Sequence, residues 1–277
     1  MGVLGFIRVR LVRLYPIFLL GLTFGLLQVA ETAWRGLDIH GWAVALVLNS
    51  LYLPAPPSHW GGLSLSPIDG PAWSLMFEVW VNIGFAVFHR HLTTVVLAVI
   101  VTLSAMIVTY AALVSPDALD AHTWPMIWAV IARTTFSFPL GLLIYRHRHR
   151  FPDLGRFAYA CGPLLVVGAC IRSSPVSDLI FVFLISPLFV VAASQAPTAP
   201  LLSRWGARSS YALYAIHLPL ERIVSDLSPV AGMDSRYAEL FLIVILLFSA
   251  GLLEPFYDRP VRRWLASFVL PPQSARS

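Results

Sequence analysis

The chain has 277 residues, 58% of them hydrophobic and 12% charged, with a mean hydropathy of +0.76, a balance that excludes a soluble globular domain and describes a polytopic membrane protein. All 19 basic residues are arginine, so the formal charge of +5 and the pI near 9.6 rest on guanidinium groups that cannot be neutralised, and their placement says more than their sum. A Walker-type glycine loop, a GxSxG elbow, a CxxC pair and a heptad run are all missing, and no spacing suggests a metal site, which removes the chemistries those motifs serve.

In chain order, apolar runs at 14–30, 72–88, 93–114, 124–144, 157–172, 178–195, 209–225 and 238–256 predict eight membrane spans in an all-α bundle. The first run is long, follows the basic cluster Arg8, Arg10 and Arg13, and has no small-residue cleavage site, so it reads as a span rather than a secretory signal. The apolar stretch Trp42 to Leu53 is short and runs into LPAPPSHWGGLSLSPIDGP, where proline and glycine forbid a regular helix. Charge decides its status. If it does not cross and the amino terminus is cytoplasmic, 14 of the 19 arginines lie on the cytoplasmic side, including the YRHRHR and RPVRRW clusters. Arg35, Arg172, Arg222 and Arg236 then lie outside and Arg133 falls inside a span. The expected organisation is one domain over 1–277, with 41–71 external or re-entrant and both termini cytoplasmic. The short juxtamembrane basic clusters read as topology signals and contacts to lipid headgroups rather than nucleic acid, and a CoA phosphate could use the same arginines.

An ionisable group inside a span costs several kcal/mol unless it faces a partner or water, so three segments stand out. In GPAWSLMFEVWVNIGF, Ser74, Glu78 and Asn82 fall at i, i+4, i+8 and form one polar stripe, with Glu78 expected roughly 10 Å inside the external end at 1.5 Å per residue. Glu78 is either a general base, a group that orients one, or a structural lock between helices. In IARTTFSFPLGLLIYR, Arg133 needs an acid, a carbonyl cluster or an anionic ligand, and Pro139 is expected to kink the helix below it. In SSYALYAIHLPLERI, Tyr214, His217 and Glu221 share one helix face, a proton-transfer arrangement or a polar packing contact.

Five segments in order resemble the acyltransferase 3 family of integral membrane O-acyltransferases: RVRLVRLYP its basic RxxRxYP entrance, PAWSLMFE its WSLxxE signature, ARTTFSFPLGLLIYR its R…F…G helix, SSYALYAIHLPL its ISYSLYLIHxP segment and EPFYDRPVRRWL its closing ERPxRRxL. The resemblance implies transfer of an acyl group, usually acetyl, from acyl-CoA as cosubstrate, with no bound cofactor, to a hydroxyl of a carbohydrate at or beyond a bacterial plasma membrane. Position by position, it implies catalytic roles for Glu78, His217 and Arg133, donor binding by Arg10 and Arg13, and a site lined by Trp73, Ser74, Asn82 and Tyr214. His217 or Glu78 would be the base and Arg133 would stabilise negative charge.

The same resemblance implies two further spans, a DGLRGxAxxxVxxxH helix and an FFxxSGFL helix, ahead of the first one here. Eight plus two gives the family's usual ten, and the first of those helices carries its usual catalytic histidine. The expectation is a start codon assigned too late; the alternatives are a partner, or a second copy, that completes the bundle, and an inactive remnant. Competing readings from other classes are a transporter or flippase-like subunit, whose polar stripe would line a substrate path, and a non-catalytic scaffold.

Overall fold

Helices account for nearly all of the regular structure in the computed structural model, which describes residues 2–115, 122–154, 158, 160–170, 174–195, 200–230 and 234–269. In chain order they are α1 (Val3–Trp34), α2 (Trp42–Ser50), α3 (Ala72–Phe88), α4 (Thr94–Val114), α5 (Ile127–Arg146), α6 (Cys161–Cys170), α7 (Pro175–Ile180), α8 (Ser186–Gln195), α9 (Pro200–Val230), α10 (Ser235–Leu253) and α11 (Arg259–Val269). Single π-helical turns at Phe181–Ile185 and Glu254–Asp258 join α7 to α8 and α10 to α11. Among the described residues there is no strand, and an isolated bridge links Ser58 to Gly62.

Each expected span falls on a helix, and α3 has the expected limits. Four stretches, Thr94–Val114, Trp124–Arg146, Pro175–Gln195 and Tyr237–Val269, are long and apolar enough to cross a membrane, and Ala72–Phe88 is a shorter apolar helix. The chain is therefore an all-α membrane protein. Arg156, Arg172 and Arg276 of the charge argument, and parts of the 157–172 span, lie outside the described residues. α1 begins at Val3, ahead of the apolar run, and α5 continues through Pro139.

The chain divides into two compact units, Met1–Ala86 with Pro200–Ser277, and Val87–Ala199. In the second unit α4 and α5 pair through small residues: Ala111 against Ala129, Val108 and Ala112 against Ala132, and Ser104 Oγ 2.8 Å from Thr135 Oγ1. Small side chains let helix backbones approach closely, which is the main source of packing energy where lipid is as apolar as leucine. Phe183, on the π turn, closes the group edge-on to Phe136 at 5.0 Å.

The first unit is built on α1. Its neighbour α9 runs parallel to it, because Tyr211 meets Leu14, Ala215 meets Gly21 and Arg222 meets Gln28 in step. Pro16 lies inside α1 and cannot donate to the carbonyl four residues back. Two phenols from distant sequence hold the chain at this point: Tyr211 donates to Leu14 O at 2.6 Å and Tyr257 donates to Pro16 O at 3.1 Å. The RxYP and closing motifs, 241 residues apart, thus meet directly.

Segment 41–71 folds back along α1. Its turn at Ile68 and Asp69 lies against Gly25 and Gly21, about 14 and 20 Å along the axis from the C-terminal end of α1 at Trp34. Irregular backbone buried among helices has to be satisfied by the protein itself. Here Asn49 Nδ2 donates to Leu53 O at 3.0 Å and Leu65 O at 3.2 Å, Ala55 N to Leu65 O at 2.9 Å, and Ser66 Oγ to Asp69 O at 2.7 Å. Tyr52 ends α2 with φ +58°, a strained value for a non-glycine residue; stacking on Phe18 at 4.1 Å and a bond from Trp80 Nε1 to its carbonyl at 2.9 Å hold it there.

Glycine at 25 is dictated by contact, since a methyl group there would run into the Ile68 carbonyl. Gly25→Ala is expected to destabilise the detergent-solubilised protein by about 1–3 kcal/mol. Gly84→Ala, where nothing lies within 4 Å, is expected to leave stability unchanged or raise it by up to about 1 kcal/mol. Thermal unfolding of both variants beside the wild type measures the difference.

Candidate active site

The turn at Ile68 and Asp69 fixes where α3 starts, and with it the polar stripe. Ser74 Oγ lies 2.6 Å from the Tyr214 hydroxyl, so the WSLxxE-like and SYxLYxIH-like segments meet at two of the expected residues. Both hydroxyls also face the Pro71 carbonyl, Tyr214 at 3.2 Å and Ser74 at 3.3 Å, which anchors the pair to the end of the turn. Trp73 is half-buried and edge-on to Phe77. Asn82, 5% exposed, donates to the Glu78 carbonyl at 2.7 Å, so its amide braces α3.

Phe6 packs on Phe85 with ring centroids 6.0 Å apart, and Asp69 faces Gly21, so α3 runs antiparallel to α1. Glu78 lies about 9 Å along α3 from Ala72, level with the Arg13–Tyr15 turn of α1. Half-buried Glu78 is within electrostatic reach of Tyr52, Tyr211 and Tyr214. Burial and the nearby Glu78 carboxylate both push the Tyr52 phenol far up, so this residue stays a neutral hydroxyl.

His217 Nδ1 lies 2.6 Å from the Tyr214 carbonyl. A carbonyl only accepts, so Nδ1 carries the proton and Nε2 of the neutral ring keeps its lone pair. Glu221, the third member of the expected face, is exposed.

Arg10 stacks over the Phe6 ring at 5.3 Å and Arg13 is exposed. Arg262, of the closing ERPxRRxL-like motif, is brought within reach of Arg13 and pairs with the buried Asp258. Arg133 belongs to the second unit, where it is half-buried and its carbonyl accepts from Ser137 Oγ at 2.8 Å.

None of the expected site residues lines a cavity of about 350 Å³ that lies against the C-terminal half of α1 in the first unit. Its polar wall is formed by Glu31, Arg35, Asp69, Arg222 and Gln28. Glu31 and Arg35 form an ion pair, and Arg222 donates to the Gln28 amide oxygen. Asp69 is 1% exposed, and among the described residues neither of its carboxylate oxygens has a hydrogen-bond partner. Burial pushes this carboxyl up to about 7, and the Arg222 guanidinium pulls against that rise.

Apolar helices enclosing a serine, tyrosines, a histidine and a carboxylate define an integral membrane protein with an internal polar site. The chain belongs to the acyltransferase 3 family, whose model, described as an acyltransferase domain, matches residues 1–254, and it is on that ground a membrane acyltransferase. No curated protein and no solved structure matches it.

Removing the hydroxyl in Tyr214→Phe is expected to cost about 0.5–1.5 kcal/mol. A double-mutant cycle with Ser74→Ala is expected to show coupling of at least about 0.5 kcal/mol, because the two groups touch. Additive unfolding free energies would show instead that the two hydroxyls do not interact.

Proposed function

We propose that the chain is an O-acyltransferase of the bacterial inner membrane, with both termini cytoplasmic, that moves an acyl group, acetyl in the simplest case, from acyl-CoA to a hydroxyl of a cell-surface or exported carbohydrate. The observation that carries this reading beyond the family is the state of His217: its Nδ1 proton is engaged by Tyr214 O, and Nε2 is left as a neutral base beside the Tyr214–Ser74 pair.

In this reading the acceptor hydroxyl passes its proton to His217 Nε2 as its oxygen attacks the thioester carbonyl carbon. The tetrahedral oxyanion collapses with cleavage of the C–S bond, and the CoA thiolate takes the proton back from the imidazolium. Ser74 and Tyr214 offer hydroxyl groups for the oxyanion, and Glu78 carries the carboxylate of the same polar stripe, a role the resemblance assigns. Arg10 and Arg13, with Arg262 beside Arg13, supply guanidinium groups for the phosphates of the donor. Arg133 is assigned by the resemblance and takes no step derived from this geometry.

Isolated membranes carrying the protein, given labelled acetyl-CoA and a cell-envelope carbohydrate fraction, are expected to transfer label to carbohydrate. His217→Ala and Glu78→Gln are each expected to reduce the rate about 100-fold or more at equal protein level. Wild-type membranes that transfer nothing to carbohydrate, or variants that transfer at the wild-type rate, would overturn the reading.

A further inference from the structure

The groove between α1 and α9 changes character along its length. Phe24, Gln28, Glu31 and Arg35 follow one another on one face of α1, and Pro219, Arg222 and Ile223 stand opposite them on the parallel α9. Toward the middle of the helices the walls are apolar, formed by Phe24, Ile68, Pro219 and Ile223 in the cavity of about 350 Å³. Toward the C-terminal end of α1 this cavity adjoins a second space of about 280 Å³, which shares Gln28, Glu31, Arg35 and Arg222 with it and adds Thr32 and Ser225. From Phe24 to Arg35 the groove runs about 16 Å along the axis, apolar at one end and polar at the other. Ser74, Tyr214 and His217 line neither space, so its chemistry is not that of the proton transfer.

Such an order fits an amphiphile rather than a small polar solute. Leu27, which lines the same cavity, is exposed, so the groove opens to the surface of the unit. At the end of α1, Trp34 is 92% exposed beside Arg35, the aromatic and basic pairing of a membrane interface. Asp69 borders the groove, but its carboxylate oxygens are buried, one of them against Gly21, and reach no ligand there. The charged groups open to a ligand are therefore Arg35, Arg222 and Glu31. Arg35 uses one guanidinium nitrogen on Glu31, and Arg222 uses one on the neutral amide of Gln28, which leaves both with donors for a phosphate. Glu31 meets Arg35 through Oε1 and keeps Oε2 for a cation. A ligand carrying one phosphate and one ammonium group satisfies both sides without adding net charge to the groove.

We infer that this groove is a binding site for a phospholipid with a zwitterionic headgroup, its phosphate held by Arg35 and Arg222, its ammonium by Glu31, and one acyl chain by the apolar end. A primary ammonium can donate a hydrogen bond to Glu31 and a quaternary one cannot, so phosphatidylethanolamine is the lipid whose headgroup the wall fits best. The inference is independent of acyl transfer, because no group of the proposed reaction takes part in it.

The test uses the full chain in dodecyl maltoside micelles and phosphatidylethanolamine carrying a diazirine in one acyl chain, with labelled peptides mapped by mass spectrometry. Labelling is expected around Phe24–Leu27 and Pro219–Ile223, and it is to exceed that around the exposed Leu103 of α4, which measures loosely bound lipid. Unlabelled phosphatidylethanolamine is expected to compete better than phosphatidylglycerol, whose headgroup has no ammonium. Soluble glycerophosphoethanolamine, which has the headgroup and no chains, is expected not to compete at the same concentration. Arg222→Ala is expected to lower labelling of the groove about tenfold. Glu31→Gln is expected to remove the preference over phosphatidylglycerol, a change that a folding defect does not produce. Ile223→Trp fills the apolar end without touching the charges and is expected to abolish labelling of the groove while labelling around Leu103 stays. Groove labelling no stronger than that around Leu103, labelling unchanged in Arg222→Ala and Ile223→Trp, or equal competition by phosphatidylglycerol or by glycerophosphoethanolamine would overturn the inference.

Discussion

The seat of the Ile68–Asp69 turn on α1 governs the geometry of the first unit. Gly21 and Gly25, one helical turn apart, leave a notch into which Ile68 and Asp69 fit, and no residue with a side chain could stand at either position without displacing them. That seat sets the starting depth of α3, the level of its polar stripe and the meeting of Ser74 with Tyr214. The turn can lie there because Asn49, Ser66 and their neighbours satisfy its backbone from within the protein, which replaces the water that the interior lacks.

The polar groups around this seat divide into two sets. Near the N-terminal half of α1 are Glu78, tyrosines and the arginines of the first and last motifs. Near the C-terminal half are Asp69, Glu31, Arg35 and Arg222, whose charges cancel. Tyr214 and His217 lie between them on α9, which runs parallel to α1 and so links both ends.

Much of the architecture is legible in the sequence, since the hydropathy of long apolar runs locates helices directly, and Ala72–Phe88 falls on the expected residues. The pairing of Ser74 with Tyr214 is half legible: each stands out in its own segment, but nothing in spacing links residues 140 apart. Asp69 is missed by a search for costly charges confined to spans, because this carboxylate is buried by a loop rich in proline and glycine. Tyr211 and Tyr257 are missed because a phenol counts as apolar in a hydropathy window while its hydroxyl closes a backbone carbonyl. Arg222 counts in the sequence only as a charge on one side of the membrane, since the acceptor it meets, Gln28, lies 194 residues away.

The ties from Tyr211 and Tyr257 to the carbonyls beside Pro16 span 197 and 241 residues, with the whole second unit inserted in sequence between the partners. A chain made from its amino terminus must therefore place α1 in the bilayer long before those hydroxyls exist. Val87–Ala199 has its partners within itself and can pack on emerging, while α1 remains incompletely held until α9 and the turn after α10 arrive. Assembly of the first unit is thus the closing of a long loop, and a chain cut short after the second unit would carry an unfinished α1, the kind of exposed polar defect in lipid that membrane quality control can recognise.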